Sequence, residues 1–275
     1  MNGGLLSMSS SFLAQIRAYE LTCILSELPA SVHVLEIGAG SGWQAALLAA
    51  NGFNVEAIDL ADSVDLEGKV WPVRTYDGRH IPFPDGKFDV LFSSNVLEHI
   101  PHIDAFQGEM HRVLKPDGLA IHILPSSTWR FWTNIFHYFF IAKILWRRFF
   151  PKHETRDDLV QRFENKARQL KPLALLKKAI LPARHGACGN FLTEFYGFSR
   201  FHWRPFFERH GWEVRKIHPN HLFYTGFSIL GDAMNLDKRR IASRFLGSAC
   251  MIYVLRNKIR QCQQGPDTAA SVQPC

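Results

Sequence analysis

One stretch constrains this chain more than any other: Val32-His33-Val34-Leu35-Glu36-Ile37-Gly38-Ala39-Gly40-Ser41-Gly42-Trp43. Val32, Val34, Leu35 and Ile37 read as a short apolar strand. Gly38, Gly40 and Gly42 then open a turn, and Ala45 to Ala50 continue as a helix. Glycine at every second position lets the backbone take positive φ and approach a ligand. The helix that follows turns its first amides towards whatever is bound. A strand, glycine turn and helix of this kind opens a doubly wound α/β sheet and marks a small-molecule site.

The second apolar run, Val55-Glu56-Ala57-Ile58-Asp59, ends in an acid about twenty residues past the glycines, where a carboxylate accepts both hydroxyls of a ribose. The site therefore reads as a nucleoside site. Its spacing, E-x-G-x-G-x-G, differs from the G-x-G-x-x-G that suits a pyrophosphate. Glu36 beside the turn repels a pyrophosphate and suits a cationic ligand.

These features resemble the class I S-adenosylmethionine (SAM)-dependent methyltransferases, in particular the type 11 group that includes quinone-biosynthesis enzymes. The resemblance runs in order over about residues 30 to 125. Glu36, Gly38, Gly40 and Gly42 match the first motif, and Asp59 matches the ribose acid. Asp77 of Tyr76-Asp77-Gly78 matches the acid that reads the adenine amino group. Phe88 to His99 match the fourth strand and its mouth, and Glu109 to Leu119 match the helix and turn before the fifth strand. The resemblance implies a mostly parallel seven-stranded sheet with an antiparallel last strand and a helical insertion after strand five. It implies SAM as cofactor, held by Glu36, Gly38, Ala39, Gly40, Gly42, Asp59, Leu60, Asp77, Gly78 and Asn95.

Catalysis with such a cofactor needs mainly alignment, plus removal of a proton where the acceptor is oxygen or nitrogen. His99, just past the fourth strand, is the first candidate base, with His102 close behind. His185, on the glycine-rich loop His185-Gly186-Ala187-Cys188-Gly189-Asn190, is placed to approach from the other side. Some quinone O-methyltransferases that this chain resembles carry E-x-x-E-H here and hold magnesium. This chain has Asn95 in place of the first acid, leaving Glu98 and His99, so the expectation is no metal.

The charge is divided. A formal +7 separates into −8 over residues 1–125 and +15 over residues 126–275. A basic half suggests an anionic partner, although a solvated basic face reads the same way. Five scattered cysteines without a C-x-x-C pair indicate neither a disulfide framework nor a zinc site. With no basic residue before Arg17, no secretory signal is expected, and the expectation is a cytoplasmic chain, peripheral on the inner face of the membrane.

The expected organisation is a flexible Gly/Ser start and N-terminal helix (1–30, the helix spanning Phe12 to Leu28, capped by Ser10 or Ser11 and stopped by Pro29), a SAM-binding core (31–125), a basic, aromatic helical insertion (126–198), a closing helix and last strands (199–260) and a flexible tail (261–275). The core strands are expected at Val32–Ile37, Val55–Asp59, Val70–Tyr76 (an edge strand, because of Pro72), Phe88–Ser93 and Leu119–Leu124. Ser199 caps a helix closed by Gly211, followed by strands at Trp212–Ile217 and Cys250–Leu255.

Within the insertion, Trp129 to Phe150 is not expected to span a membrane, because Asn134, His137 and Lys143 interrupt it. On a helical wheel Thr133, Asn134, His137, Lys143, Arg147 and Arg148 share one half. Phe131, Trp132, Ile135, Tyr138, Phe139, Ala142, Leu145, Trp146, Phe149 and Phe150 share the other. That pattern suits an interfacial membrane helix or a lid over the active site. Lys152 to Arg184 reads as strongly basic and mostly polar, with a short Leu-rich run at Leu173 to Leu176, and is expected to be helical and exposed, or mobile.

Three function classes follow. The first is a SAM-dependent methyltransferase acting on oxygen of a small or lipid-linked acceptor near a membrane. The second is an RNA methyltransferase, disfavoured because Ser93-Ser94-Asn95-Val96 replaces an N-P-P-Y-like tetrapeptide. The third is a non-catalytic SAM-fold binding protein, which has no need of an intact nucleoside site.

Overall fold

The structure, a computed structural model, describes residues 10–63, 68–149 and 181–258. The expected start (1–9), most of Lys152 to Arg184 and the tail (261–275) lie outside the described residues.

Seven strands form one sheet: β1 (His33–Ile37), β2 (Asn54–Leu60), β3 (Arg74–Tyr76), β4 (Phe88–Ser94), β5 (Leu114–Pro125), β6 (Trp212–Pro219) and β7 (Cys250–Asn257), in the order β3-β2-β1-β4-β5-β7-β6. Strands β1 to β5 pair in parallel, and β7 runs antiparallel to both β5 and β6. The α/β class and the antiparallel finish are as expected. Neighbouring residues of each strand point into opposite cores, as a sheet covered on both faces requires. Val34, Val90, Phe92, Ile121 and Ile123 pack with helices α1 (Ser10–Ile24) and α2 (Trp43–Ala50). Leu35, Leu91, Ala120 and Leu124 pack with α3 (Ile103–Val113) and with Trp203, Phe206 and Phe207 of a later helix.

Several boundaries differ for local reasons. Leu28, ahead of Pro29, is extended, so α1 ends at Ile24 and tightens into a 3₁₀ turn, Leu25–Glu27. The helix begins at Ser10, so Ser10 and Ser11 lie in its first turn rather than before it. β3 starts only after Pro72 and is the edge strand. β5 begins at Leu114, with a register irregularity against β4 between Phe88 and Val90.

The insertion opens with α4 (Ser127–Phe149) and returns through α5 (Thr193–Gly197) to α6 (Arg200–Arg209), whose Ser199 cap accepts from the His202 amide. α4 reverses part of the expected polarity. Arg130 and His137 are buried, whereas Phe131, Tyr138, Phe139 and Trp146 are exposed. Trp132 is held inside by a bond from Nε1 to the Leu246 carbonyl and by edge contact with Phe223. Two further helices, α7 (Phe227–Leu230) and α8 (Leu236–Leu246), escape the sequence reading. α8 buries Arg239 and Ser243 and exposes Ile241 and Phe245, so it has no apolar periodicity to read.

The closing strands are locked by Trp212. It is fully buried, stacks on His111 at 4.0 Å and donates to Gln107 Oε1 at 2.7 Å. Trp212→Ala is expected to destabilise the protein by roughly 3–5 kcal/mol, measured by denaturant unfolding. A cost under ~1 kcal/mol contradicts this packing.

Candidate active site

The site forms at the carboxyl ends of β1, β2 and β4, where the strand order reverses between β1 and β4. The amides of Gly38 and Ala39 donate to the Ile58 carbonyl, at 2.8 and 3.1 Å, and so turn the chain sharply after β1. Gly38 has φ +77°, and a Cβ there would lie 2.3 Å from Val96 Cγ2. The turn after β1 is therefore pressed directly against the loop after β4. Gly40 has φ +56°, and a Cβ there would meet no atom within 4 Å. That open space above the turn is where a ligand fits.

Glu36 points into the site from the end of β1. It is buried, and its Oε2 has no hydrogen-bond partner. Burial pushes its pKa up to about 8, against the Ala45 amide that favours the charged form and with the nearby Asp59 adding to the rise. Asp59 accepts the Gly40 amide at 2.6 Å and the Leu60 amide at 2.7 Å, clamping the turn from the second strand. Burial raises its pKa against those two bonds. The Asp77 carboxylate is exposed and accepts the amides of Arg79 and His80, which hold its pKa at about 2. It stands at the mouth of β3 beside Leu60, which Gly78 meets closely, but folds back on its own chain. Asn95 takes φ +56°, donates its amide to the Ile123 carbonyl and receives the Cys250 thiol at 3.5 Å. A buried carboxylate with an unused oxygen, an open glycine turn and a clamped second acid fit the nucleoside and cationic amino-acid portions of SAM.

The two histidines come together. A 3₁₀ turn, Leu97–His99, follows β4 and places the Glu98 side chain inside, with His99 on the rim. The His185 ring meets the His99 ring at 4.7 Å between centroids, and each Nε2 lies 3.7 Å from Glu98 Oε1. Burial lowers the His99 pKa, Glu98 opposes that, and His185 adds to the lowering. His102 sits just before α3, outside this cluster.

His185 is held from a distance. Its amide and that of Gly186 donate to Glu194 Oε1 at 2.7 and 2.8 Å. Glu194 Oε2 lies 3.0 Å from Arg130 Nε, and both side chains are fully buried. Arg130 also donates to the carbonyls of Ala183 and Phe191, binding both ends of the loop. The Ala187 amide joins the loop to the Glu98 carbonyl at 2.8 Å, and Trp129 packs edge-on against His185.

Arg17 is a residue the sequence reading missed. From α1 it donates to Glu20 at 2.7 Å and to Ser94 Oγ at 2.9 Å, at the end of β4. Glu20 in turn receives Asn220. α1 thus packs on the sheet and also reaches the site. A lone arginine three residues before a glutamate on an otherwise uncharged helix was the available signal.

Fold and glycine turn together are similar to those of SAM-dependent methyltransferases. Residues 35–122 match the family model described as a methyltransferase domain. It is 35% identical over 108 residues to an uncharacterized methyltransferase of Mycobacterium sp. (strain JLS), covering 37% of this chain and 41% of the relative. It is 33% identical over 105 residues to the 2-methyl-6-phytyl-1,4-hydroquinone methyltransferase of Synechocystis sp. (strain ATCC 27184 / PCC 6803 / Kazusa), covering 35% and 33%. The chain thus spans less than half the length of these relatives. A SAM-dependent methyltransferase of Mesorhizobium loti shares the fold, with a TM-score of 0.51 and 13% identity over 87% of this chain and 98% of that one.

Glu36 makes stability depend on pH. Its pKa is higher folded than in the unfolded chain, ordinarily 4.5, so stability falls as pH rises from about 4.5 towards 8. Glu36→Gln removes this loss. Between pH 4.5 and pH 8 the SAM-free variant is expected to gain on the order of 3–4 kcal/mol relative to wild type. Denaturant unfolding at both pH values measures it, and parallel curves exclude a buried, uncompensated carboxylate.

Proposed function

We propose that this chain is a SAM-dependent methyltransferase that modifies oxygen on a small or lipid-linked acceptor. The observation that carries this reading is the contact of Gly38 with Val96. It sets the glycine turn of the nucleoside site directly against the loop that bears Glu98 and His99.

SAM supplies an electrophilic methyl group on a sulfonium whose positive charge disappears on transfer. The chain's own residues do the rest. Glu36 and Asp59 hold the cofactor, and Arg17 on Ser94 fixes the end of β4. His99, His185 and Glu98 receive the acceptor's hydroxyl at a rim reached from solvent. Transfer is then governed by alignment, with reacting atoms about 3–3.5 Å apart.

The acceptor class draws support from the relative named for a phytyl hydroquinone, a hydroxylated ring with a hydrophobic tail. It also draws support from the outward aromatic residues along α4, α5 and α6: Phe131, Phe139 (60% exposed), Tyr196 and Phe201 (69% exposed). No helix among the described residues is long and apolar enough to cross a membrane. Residues 126–184 carry a net charge of +9, suited to an anionic lipid surface. An RNA acceptor is the second class that this charge favours.

Asp59→Ala is expected to weaken SAM binding by roughly 2–4 kcal/mol in calorimetry, from two lost charge-assisted bonds. Unchanged affinity in the folded variant removes the cofactor assignment.

Membrane docking predicts that wild type co-sediments with anionic vesicles at low salt and less so at high salt. Replacing Phe131, Phe139 and Phe201 with Ser should release it while SAM still binds. Wild type that stays in the supernatant at low salt, or that prefers RNA to vesicles, ends the lipid-surface reading.

A further inference from the structure

We propose that Glu98, His99 and His185 form a binding site for one divalent transition-metal ion of the zinc class. The three residues offer one ligand atom each, all within 4.8 Å of one another. The independent observation is Glu98. Its side chain is 1% exposed, and neither carboxylate oxygen has a hydrogen-bond partner. At 3.7 Å the two imidazoles are too far for hydrogen bonds to it. An unpaired buried carboxylate is costly, and an ion between it and the two rings removes that cost.

The chemistry of the set selects the ion. Two imidazoles and one carboxylate form a catalytic type of zinc site, with a further position left open for water or substrate. Bonds of about 2.0–2.2 Å put neighbouring tetrahedral ligands ~3.4 Å apart, so the two 3.7 Å separations need little contraction. The His99–His185 pair has the further 4.8 Å limit, and the rings, each about one-third exposed, have room to close on the ion. The same exposure gives the ion a path from solvent. The supporting layer is built already, since Glu194 and Arg130 fix the backbone at His185 and Trp129 flanks its ring.

This assignment replaces the expectation of a metal-free site. Asn95 stands where related enzymes place an acid, but His185, from the far side of the insertion, supplies the third ligand. The ion's role rests on the proposed function: its open position takes the acceptor's oxygen and polarises it. His99 is then a ligand rather than a base, and the acceptor's proton leaves to solvent.

The test uses the full chain, stripped of metal by chelation, in a Cys188→Ser background so that the exposed Cys188 thiol adds no ligand. Co²⁺ titration followed by visible absorption, and Zn²⁺ titration by calorimetry, should each show one tight site. Glu98→Gln and His185→Asn should weaken both by roughly 100-fold or more, with SAM affinity unchanged and the thermal midpoint of the metal-free protein no lower than the parent's. Zn²⁺ should raise the thermal midpoint of the parent but not of the variants. Absence of a tight site, or equal binding in parent and variants, overturns the proposal. Because SAM affinity is measured on metal-free protein, its loss would count against the proposed function and leave the metal assignment standing.

Discussion

The close approach of Gly38 to Val96 is the constraint on which the functional half of this molecule depends. Two turns leave adjacent parallel strands at the same end of the sheet. One carries the nucleoside site and the other carries Glu98 and His99. With a Cβ-to-Cγ2 separation of 2.3 Å, any residue larger than glycine at position 38 displaces the second turn. The proposed cofactor and acceptor sites are therefore positioned by one packing contact rather than by two independent loops.

The structure also keeps several ionisable side chains out of water. Glu36, Glu20, Glu98, Glu194, Arg130 and Arg239 are all buried. Some are compensated internally, as Glu194 is by Arg130 and two amides. Glu36 keeps one oxygen, and Glu98 both, without a hydrogen-bond partner. Buried groups that lack a partner in the free protein are those a ligand can complete. Stability given up there is recovered on binding.

The core was legible because its signals are local. The continuous apolar run of β1, with Val34 and Leu35 buried in opposite cores, the glycine spacing and the acid ending β2 all lie within short stretches. The cap at Ser199 and the C-terminal glycine at Gly211 were legible for the same reason. What stayed hidden is non-local. Nothing near Arg130 or Glu194 announces that they pair, and the meeting of His185 with His99 depends on that pair. α8 was missed because its buried face is polar. In α4 the aromatic stripe was legible, but its direction was not. Arg130 and Asn134 face the loop at 181–191, and Phe131 and Phe139 lie outwards.

The anchoring of the His185 loop makes one side chain the keystone of a remote meeting. Arg130, near the start of α4, grips the carbonyls of Ala183 and Phe191 and pairs with Glu194, which in turn holds the His185 and Gly186 amides. The encounter of His185 with His99 is thus governed from position 130, a residue that touches neither ring and whose own burial is complete.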